Sequence, residues 1–422
     1  MDFNTFFNRF GLDSSNFTNR SFESIETESG FIYEVEETKR TKMCPHCNHT
    51  PMFIHDYRWS NVKLSSTLNL NETLRIRRIR YKCPKCGKSH TFELEGIQRY
   101  SQISDFVKRA IQKEFFEIQS FSTIAKRYGV SVTQVINIFD EYTKKVPRLK
   151  LPEYLCIDEK HFEGDTGGKY CVVLSDFFTG EVVDVLPNRQ MSFLDEYFSN
   201  INIFERNNVK VFISDMYDGY SRIKNKYFPK AKFVIDLFHV VKLLTAAVNK
   251  IRIRTYNQIA IDDTIERHFL KTNWKYFLMN ERYISNKFYK TRKFQTEIEM
   301  SKIILNCLKL NMTLWDGYRI LQDLLQYSNQ TTFTDATNFI ERIIHKLELT
   351  GEELYEKVAQ TYKKWRVGIA NGLAKNQTGK RFSNAIAENN NSHIQRVINV
   401  AYGYGNFERF RARIMLILTY KK

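Results

Sequence analysis

Carboxylates closing apolar runs and thiols in paired turns are the residues whose types and spacing suit metal chemistry in this chain of 422 residues. Asp215 ends "KVFISD", where a buried strand should leave its sheet, and Asp218 follows in "SDMYDGY". An aspartate where a strand stops also makes an ordinary turn, so the position alone leaves both uses open. Asp158 in "CIDEK" and Glu388 in "NAIAENNNS" offer two further acids. Brought together, such acids hold two hard cations roughly 3.5–4 Å apart, which serves in-line phosphoryl displacement. Carboxylates suit Mg²⁺, with Mn²⁺ as the alternative. The thiols are Cys44 and Cys47 in "CPHC" and Cys83 and Cys86 in "CPKC". One Cys-x-x-Cys pair also fits a redox motif, but two supply the four thiolates of one tetrahedral structural zinc.

Composition limits the partners. Hydrophobic residues make up 42% and charged residues 26%, ordinary for a globular protein, but the formal net charge is +17. That surplus favours a polyanion, nucleic acid before anionic membrane. No apolar window is long enough to span a bilayer and the N-terminus lacks a signal pattern, so a cytoplasmic, nucleoid-associated protein without a membrane partner is expected. Seven cysteines do not make a disulfide framework; Cys156, Cys171 and Cys307 lie in apolar stretches and read as core.

Residues 1–42 are acidic and weakly patterned, which predicts a short helix and a loosely held arm. A zinc ribbon follows at 43–95; between its knuckles "LRIRRIRYK" alternates as a strand does and sets Arg75, Arg77, Arg78 and Arg80 close together. These arginines form either a solvated basic face or a phosphate contact. Within 98–146, "FSTIAKRYGVSVTQVINIFD" fits a helix-turn-helix: Ala125 at the helix contact, Gly129 in the turn, Val135 and Ile138 inward. Ser131, Thr133, Gln134 and Asn137 then face outward, short and polar enough to reach base edges, though an ordinary helical hairpin has a similar pattern. From 150 to 422 three short strands precede alternating helix and strand. That order is the one found in an RNase-H-like fold, where the first and fourth strands are neighbours and Asp158 and Asp215 stand roughly 5 Å apart. Residues from about 250 to 375 read as helix throughout, an all-helical insertion in a multidomain α/β chain.

The segments "IDEKHF", "SDMYDGY", "FPKAKFVIDLFHVVK" and "SNAIAENNNSHIQRV…AYGYGNFERFRARI" resemble bacterial insertion-sequence transposases of the ISL-three family, which have a DDE catalytic core. The resemblance extends upstream to the ribbon and helix-turn-helix, from about residue 40. It implies metal-dependent strand cleavage and strand transfer at the terminal inverted repeats of the protein's own element. It also implies catalytic acids at Asp158, Asp215 and Glu388 with two Mg²⁺ or Mn²⁺ ions, double-stranded DNA as end and target, and a homodimer or larger assembly. Asn389, Asn390 and Asn391 make an unusually polar run after the glutamate.

Asp236 and His239 in "IDLFHVV" suit a helix cap and a satisfied core histidine. Related transposases carry a similar Asp-x-x-His pattern, which implies that the two line the active site behind the metal ligands. Lys380 and Arg381 in "AKNQTGKRFSN", with Arg396 two turns beyond Glu388, suit phosphate contacts or a solvated face. Trp274, Trp315 and Trp365 suit core packing better than base stacking. Two other functions fit the same residues. A non-catalytic DNA-binding regulator needs only the ribbon and helix-turn-helix, and a structure-selective RNase-H-like nuclease needs no end recognition.

Overall fold

The computed structural model of the protein describes residues 2–67, 70–259, 264–284, 287–291, 294–326, 332–375, 381–382 and 385–421. The chain divides into two units, Met1–Pro147 with Ile394–Lys422, and Arg148–His393.

In the first unit, helix α1 (Phe3–Arg9) is capped by Asp2, whose side chain accepts from the Thr5 N–H at 3.0 Å. Strands β1 (Phe17–Thr27), β2 (Gly30–Glu37), β3 (Phe53–Thr67), β4 (Leu70–Lys82) and β5 (Ser89–His90) form one sheet, ordered β1-β2-β4-β3 with β5 on β4. Only β2 and β4 run parallel. One face of the sheet buries Val62, Leu64, Leu74 and Ile76 against Phe6, Phe7, Phe10 and Phe17. Gly30 has φ +134°, and a Cβ there would meet the Asn71 carbonyl oxygen at 2.1 Å, so the close start of β2 on β4 needs glycine.

The short helix expected within 1–42 is α1, but the loosely held arm is instead two strands of the sheet, β1 and β2. Its acids are the counterpart of the basic strand. The parallel register sets Glu34 opposite Arg75 and Glu36 opposite Arg77, with side chains paired at 2.6 Å in both cases. Glu37 holds the buried Arg78 guanidinium at 3.0 Å and also accepts from the Ile79 N–H at 3.0 Å. Removing one partner of a buried pair leaves a charge without compensation. Glu37→Ala is therefore expected to cost about 3–5 kcal/mol, read as a lower urea midpoint with unchanged slope. A loss below about 1 kcal/mol, the value of an exposed pair, would contradict the buried pairing.

Helices α2 (Asp105–Glu114), α3 (Phe121–Tyr128) and α4 (Val132–Thr143) pack around Ile111, Phe115, Ile124, Ala125, Val135 and Phe139. Gly129 ends α3 in the left-handed region at φ +59°, and Ser131 caps α4 by accepting from the Gln134 N–H at 3.1 Å. A C-terminal helix, Phe407–Leu418, completes this core with Ala412 and Leu416. Its Arg413 is buried and donates to the carbonyls of Glu117 and Gln119, each at 2.9 Å. Its Arg409 grips Asp140 through two bonds of 2.8 and 2.7 Å. Residues 394–422, expected within the catalytic domain, thus group with the N-terminal unit.

The second unit holds a mixed sheet of β6 (Tyr154–His161), β7 (Tyr170–Asp176), β8 (Val182–Leu186), β9 (Val211–Ser214) and β10 (Lys232–Ile235), ordered β10-β9-β6-β7-β8. β7 lies between β6 and β8 and is antiparallel to both, while β9 runs parallel to β6 and β10 parallel to β9. All residues of β8 and β9 are buried, as strands covered on both faces should be, and the one acid among them, Asp184, accepts from the Tyr197 hydroxyl at 2.9 Å. Helices α5 (Met191–Ser199), α6 (Ile203–Asn207) and α7 (Asp218–Tyr227) follow β8 and β9, and Leu194, Phe198 and Ile223 share a core with Leu155, Ile157 and Phe212.

After α8 (Leu237–Gln258) and α9 (Ile265–Thr272) comes a hairpin, β11 (Phe288–Thr291) and β12 (Thr296–Glu299), so the insertion is not all helical. These strands are four residues long each, too short for alternation to stand out; Tyr289 on β11 is buried in the core and Ile298 on β12 packs against it half-buried. Helices α10 (Met300–Lys309), α11 (Met312–Leu325), α12 (Phe333–Leu349) and α13 (Glu353–Leu373) complete the insertion. A Cβ at Gly372 of α13 would meet the Ile235 carbonyl at 2.5 Å, so α13 approaches β10 closely enough to need the glycine. Helix α14 (Ala385–Val400) carries the last acid.

Candidate active site

The register of the second sheet places its acids. Cys156 on β6 pairs with Ile213 on β9, and two further residues along both parallel strands bring Asp158 level with Asp215. Ile235 pairs with Ser214, and the Asp236 N–H donates to the Ser214 carbonyl at 2.9 Å, which adds Asp236 on the third parallel strand. Asp215 and Asp236 thus follow the carboxyl ends of β9 and β10, where open α/β sheets hold ligands, beside Asp158, which lies where β6 runs on past the end of β9 while still paired with β7.

Each acid has different company. Asp158 Oδ1 accepts from the Glu159 N–H at 2.8 Å, and Oδ2 accepts from Asn391 Nδ2 at 2.7 Å. Asn390 donates to Ser175 Oγ at 3.1 Å and to the Gly180 carbonyl at 3.0 Å, seating α14 on β7 and the turn after it. Buried Asp236 caps α8 by accepting from the Phe238 N–H at 3.1 Å, and its other oxygen meets His239 Nδ1 at 3.0 Å. Glu159 is taken by Arg189, at 3.0 and 2.9 Å, and by the Tyr220 hydroxyl at 3.1 Å.

Burial and mutual repulsion shape the charges. Burial first, then the charges of Glu159 and Asp158, push the Asp215 carboxyl up to about 6, although His239 opposes them. Asp158 is raised as well, chiefly by burial. His239 is raised by its hydrogen bond to Asp236, against burial, with Asp215 and Asp158 adding to the effect. Asp215 Oδ1 and Asn391 Oδ1 are buried with no hydrogen-bond partner. Two unsatisfied oxygens beside a second carboxylate are the donor set of a hard cation. The residues present therefore fit a divalent metal.

The other predicted positions divide. Glu388 is exposed in the first turn of α14, one turn before Asn391. Among the described residues, the four cysteines are the group of at least three potential ligands whose atoms all lie within 4.8 Å, and Asp158, Asp215 and Glu388 do not close to that spacing. Cys44 Sγ lies 3.6 Å from Cys86 Sγ, and Cys47 Sγ 3.5 Å from Cys83 Sγ. Tetrahedral zinc with Zn–S of about 2.3 Å needs sulfurs roughly 3.7 Å apart, so the cluster fits structural zinc. Cys156, Cys171 and Cys307 are buried, as expected of core residues.

Thr133 and Asn137 are exposed on α4, Gln134 is half-buried, and Ser131 is exposed with its hydroxyl engaged as the cap. Arg75, Arg77 and Arg78 are committed to Glu34, Glu36 and Glu37, and Arg80 lies 3.7 Å from Asp56. The strand expected to be a solvated basic face or a phosphate contact is thus paired with carboxylates, and Arg78 is buried. Arg381 donates to the Leu373 carbonyl at 3.0 Å, Arg396 is exposed on α14, and Lys380 lies outside the described residues. Trp365 is core, Trp315 packs against the same core half-buried, and Trp274 is exposed. Asp218 pairs with Lys364 at 2.7 Å, at an exposed position. Sequence reasoning assigned Asn390 and Asn391 no role; their signal was the polar run after Glu388.

These features define a mixed α/β protein with a four-thiol site suited to zinc and a separate row of carboxylates on β6 and just past the ends of β9 and β10. The chain belongs to the ISL-three transposases: the family model with a DDE core, described as Transposase, matches residues 155–414, more than half of the chain. The match begins later than the expected residue 40 and takes in every acid of the site. No curated protein matches the chain significantly in sequence. Among the described residues no helix is long and apolar enough to cross a membrane.

Proposed function

We propose that this transposase binds the terminal inverted repeats of its own insertion sequence and carries out metal-dependent strand cleavage and strand transfer. The observation that carries the proposal is the level pair Asp158–Asp215 on adjacent parallel strands, with an unpartnered buried oxygen on Asp215 and another on the Asn391 that holds Asp158. The strand order β10-β9-β6-β7-β8, with β7 alone antiparallel to both its neighbours, supports an RNase-H-like core.

In this proposal Asp158, Asp215 and Glu388 are the metal ligands. Two Mg²⁺ ions, when bound, activate an attacking oxygen and stabilise the leaving 3′ oxygen. Asn391 fixes the Asp158 carboxylate through one bond while leaving that group's charge intact. Asp236 orients His239, whose raised proton affinity favours a cation facing Asp158 and Asp215. Arg189 and Tyr220 occupy Glu159, which keeps this neighbouring acid out of the ligand set. In the first unit, α4 presents Thr133, Gln134 and Asn137 to a major groove, and the zinc ribbon supports it. Processing two ends calls for a dimer or larger assembly on DNA.

The test is incubation of the full chain with Mg²⁺ and a labelled duplex carrying the inverted repeat that flanks the coding region. Nicking at the repeat boundary is expected, and Asn391→Ala is expected to lower its rate about 10- to 100-fold with unchanged duplex affinity. Tight binding without cleavage under Mg²⁺ or Mn²⁺ would favour a regulator. Cleavage that follows DNA shape and ignores the repeat would favour a nuclease.

A further inference from the structure

A cationic cleft of about 300 Å³ opens on the first unit, lined among others by Arg58, Arg78, Arg80, His90, Arg99 and Tyr100. Among the described residues no carboxylate lines it. Arg58 and Arg78 are directly opposite each other on β3 and β4, an arrangement that like charges disfavour. Glu37 neutralises Arg78. Asp56 is shared by Arg58 at 3.5 Å and Arg80 at 3.7 Å, so one carboxylate serves two guanidiniums at loose distances. Among the described residues no carboxylate pairs with Arg99, whose guanidinium lies 4.7 Å over the Tyr100 ring. Four guanidiniums therefore share two carboxylates, and Arg58 and Arg99 are both exposed.

Folding gains little from this arrangement, and Tyr100 adds to its cost. That residue is 85% exposed and has φ +62°, a backbone region that disfavours a bulky side chain. Held there without burial, it points to a use outside the fold. Tyr100 and Ser60 also line a larger neighbouring cavity of about 720 Å³, which reaches Ser131 and Gln134 of the α4 N-terminus. Lys63 keeps the two elements in register, donating to the Gly129 carbonyl at 2.6 Å and to Asn71 Oδ1 at 3.1 Å. The hairpin β3–β4 is thereby tied to the turn between α3 and α4.

We propose that Arg58, Arg80 and Arg99 form a phosphodiester clamp for the backbone of the duplex whose bases face α4, with Tyr100 between the two contacts. The inference rests on the DNA-binding function proposed above and replaces Arg75, Arg77 and Arg78 as the hairpin's backbone contacts. Planar guanidiniums suit phosphate oxygens, and the clamp carries no sequence information of its own.

The experiment measures affinity of the full chain, by fluorescence anisotropy across a KCl series, for a repeat duplex and a scrambled duplex of equal length. Each phosphate contact contributes roughly 0.9 to the slope of log affinity against log salt. Arg58→Ala/Arg99→Ala is expected to reduce that slope by about 1.8 on both duplexes, and Arg58→Lys/Arg99→Lys to restore most of it. Gln134→Ala is expected to weaken the repeat duplex alone, with its slope unchanged. Zinc content and melting temperature check folding; if the double variant melts early, Arg99→Ala alone is expected to lose about 0.9. An unchanged slope in a folded variant overturns the clamp. So does tight binding of inorganic phosphate that depends on these arginines while the DNA slope stays put, since the cleft would then serve a small anion. Failure to prefer the repeat would count against end recognition, while the scrambled duplex would still read the clamp.

Discussion

Asp215→Asn is expected to reduce Mg²⁺-dependent strand cleavage at least about 10³-fold, the loss of several kcal/mol of metal-mediated stabilisation, and to leave duplex affinity within about twofold. The variant keeps the size of the side chain, so it tests charge at a nearly fixed shape. A second, opposite effect accompanies the loss. Burial and the charges of Glu159 and Asp158 hold the Asp215 carboxyl at about 6, against an ordinary value of 3.8. The folded chain thus binds that proton more tightly than the unfolded chain. Stability is lost as pH rises from about 4 to about 6, and the penalty is fully present above about 6. The amide side chain of the variant carries no such penalty. Without divalent metal at pH 7.5, Asp215→Asn is expected to be more stable by on the order of 2 kcal/mol, read as a melting temperature several degrees higher. At pH 4 the advantage should disappear. Millimolar Mg²⁺ should raise the melting temperature of the native protein and not of the variant, because only the native site binds it. A variant that melts lower at pH 7.5, or that still cleaves, would remove Asp215 from the metal site.

Zinc removal is the second large effect. Cys44 and Cys83 are buried in a small cluster with Met52, Ile79 and Tyr81, far too little apolar surface to hold two knuckles by itself. Structural zinc in such sites contributes apparent binding free energies of about 10–16 kcal/mol at neutral pH. Burial raises the Cys44 thiol, but the N–H groups of His46 and Cys47 and the neighbouring thiols outweigh it and lower it, while burial and the same neighbouring thiols raise Cys47, so ionisation is shared across the cluster. Cys83→Ser, or extraction with a strong chelator, is expected to take zinc from one ion per chain to none. Amide hydrogen exchange should then rise around residues 43–92 while β6–β10 stay protected, and duplex affinity should fall more than tenfold. Preserved protection and affinity after zinc loss would make the four cysteines incidental to the fold.

Local chemistry is legible in the order of residues alone. The two Cys-x-x-Cys turns, the αL glycine between α3 and α4, and the apolar runs that deliver Asp158 and Asp215 are all short-range signals. Each depends on neighbours a few residues away, where spacing alone sets geometry. That β6 and β9 are neighbours was expected only because the order of elements matches that of an RNase-H-like fold, and the observed strand order has them adjacent.

What stayed hidden was pairing over distance. Acids at 34, 36 and 37 read as a solvated arm until the parallel register of β2 on β4 set them against arginines 41 residues away. Asn391 reads as one more polar residue in a run, and only the packing of α14 brings it to Asp158 across 233 positions. The C-terminal helix looked like the end of the catalytic core, yet Arg409 and Arg413 spend their hydrogen bonds on Asp140, Glu117 and Gln119. Local sequence thus specified which side chains carry charge or bind metal. Tertiary pairing decided which charges are cancelled, since a guanidinium is free or spent according to whether a distant carboxylate arrives beside it.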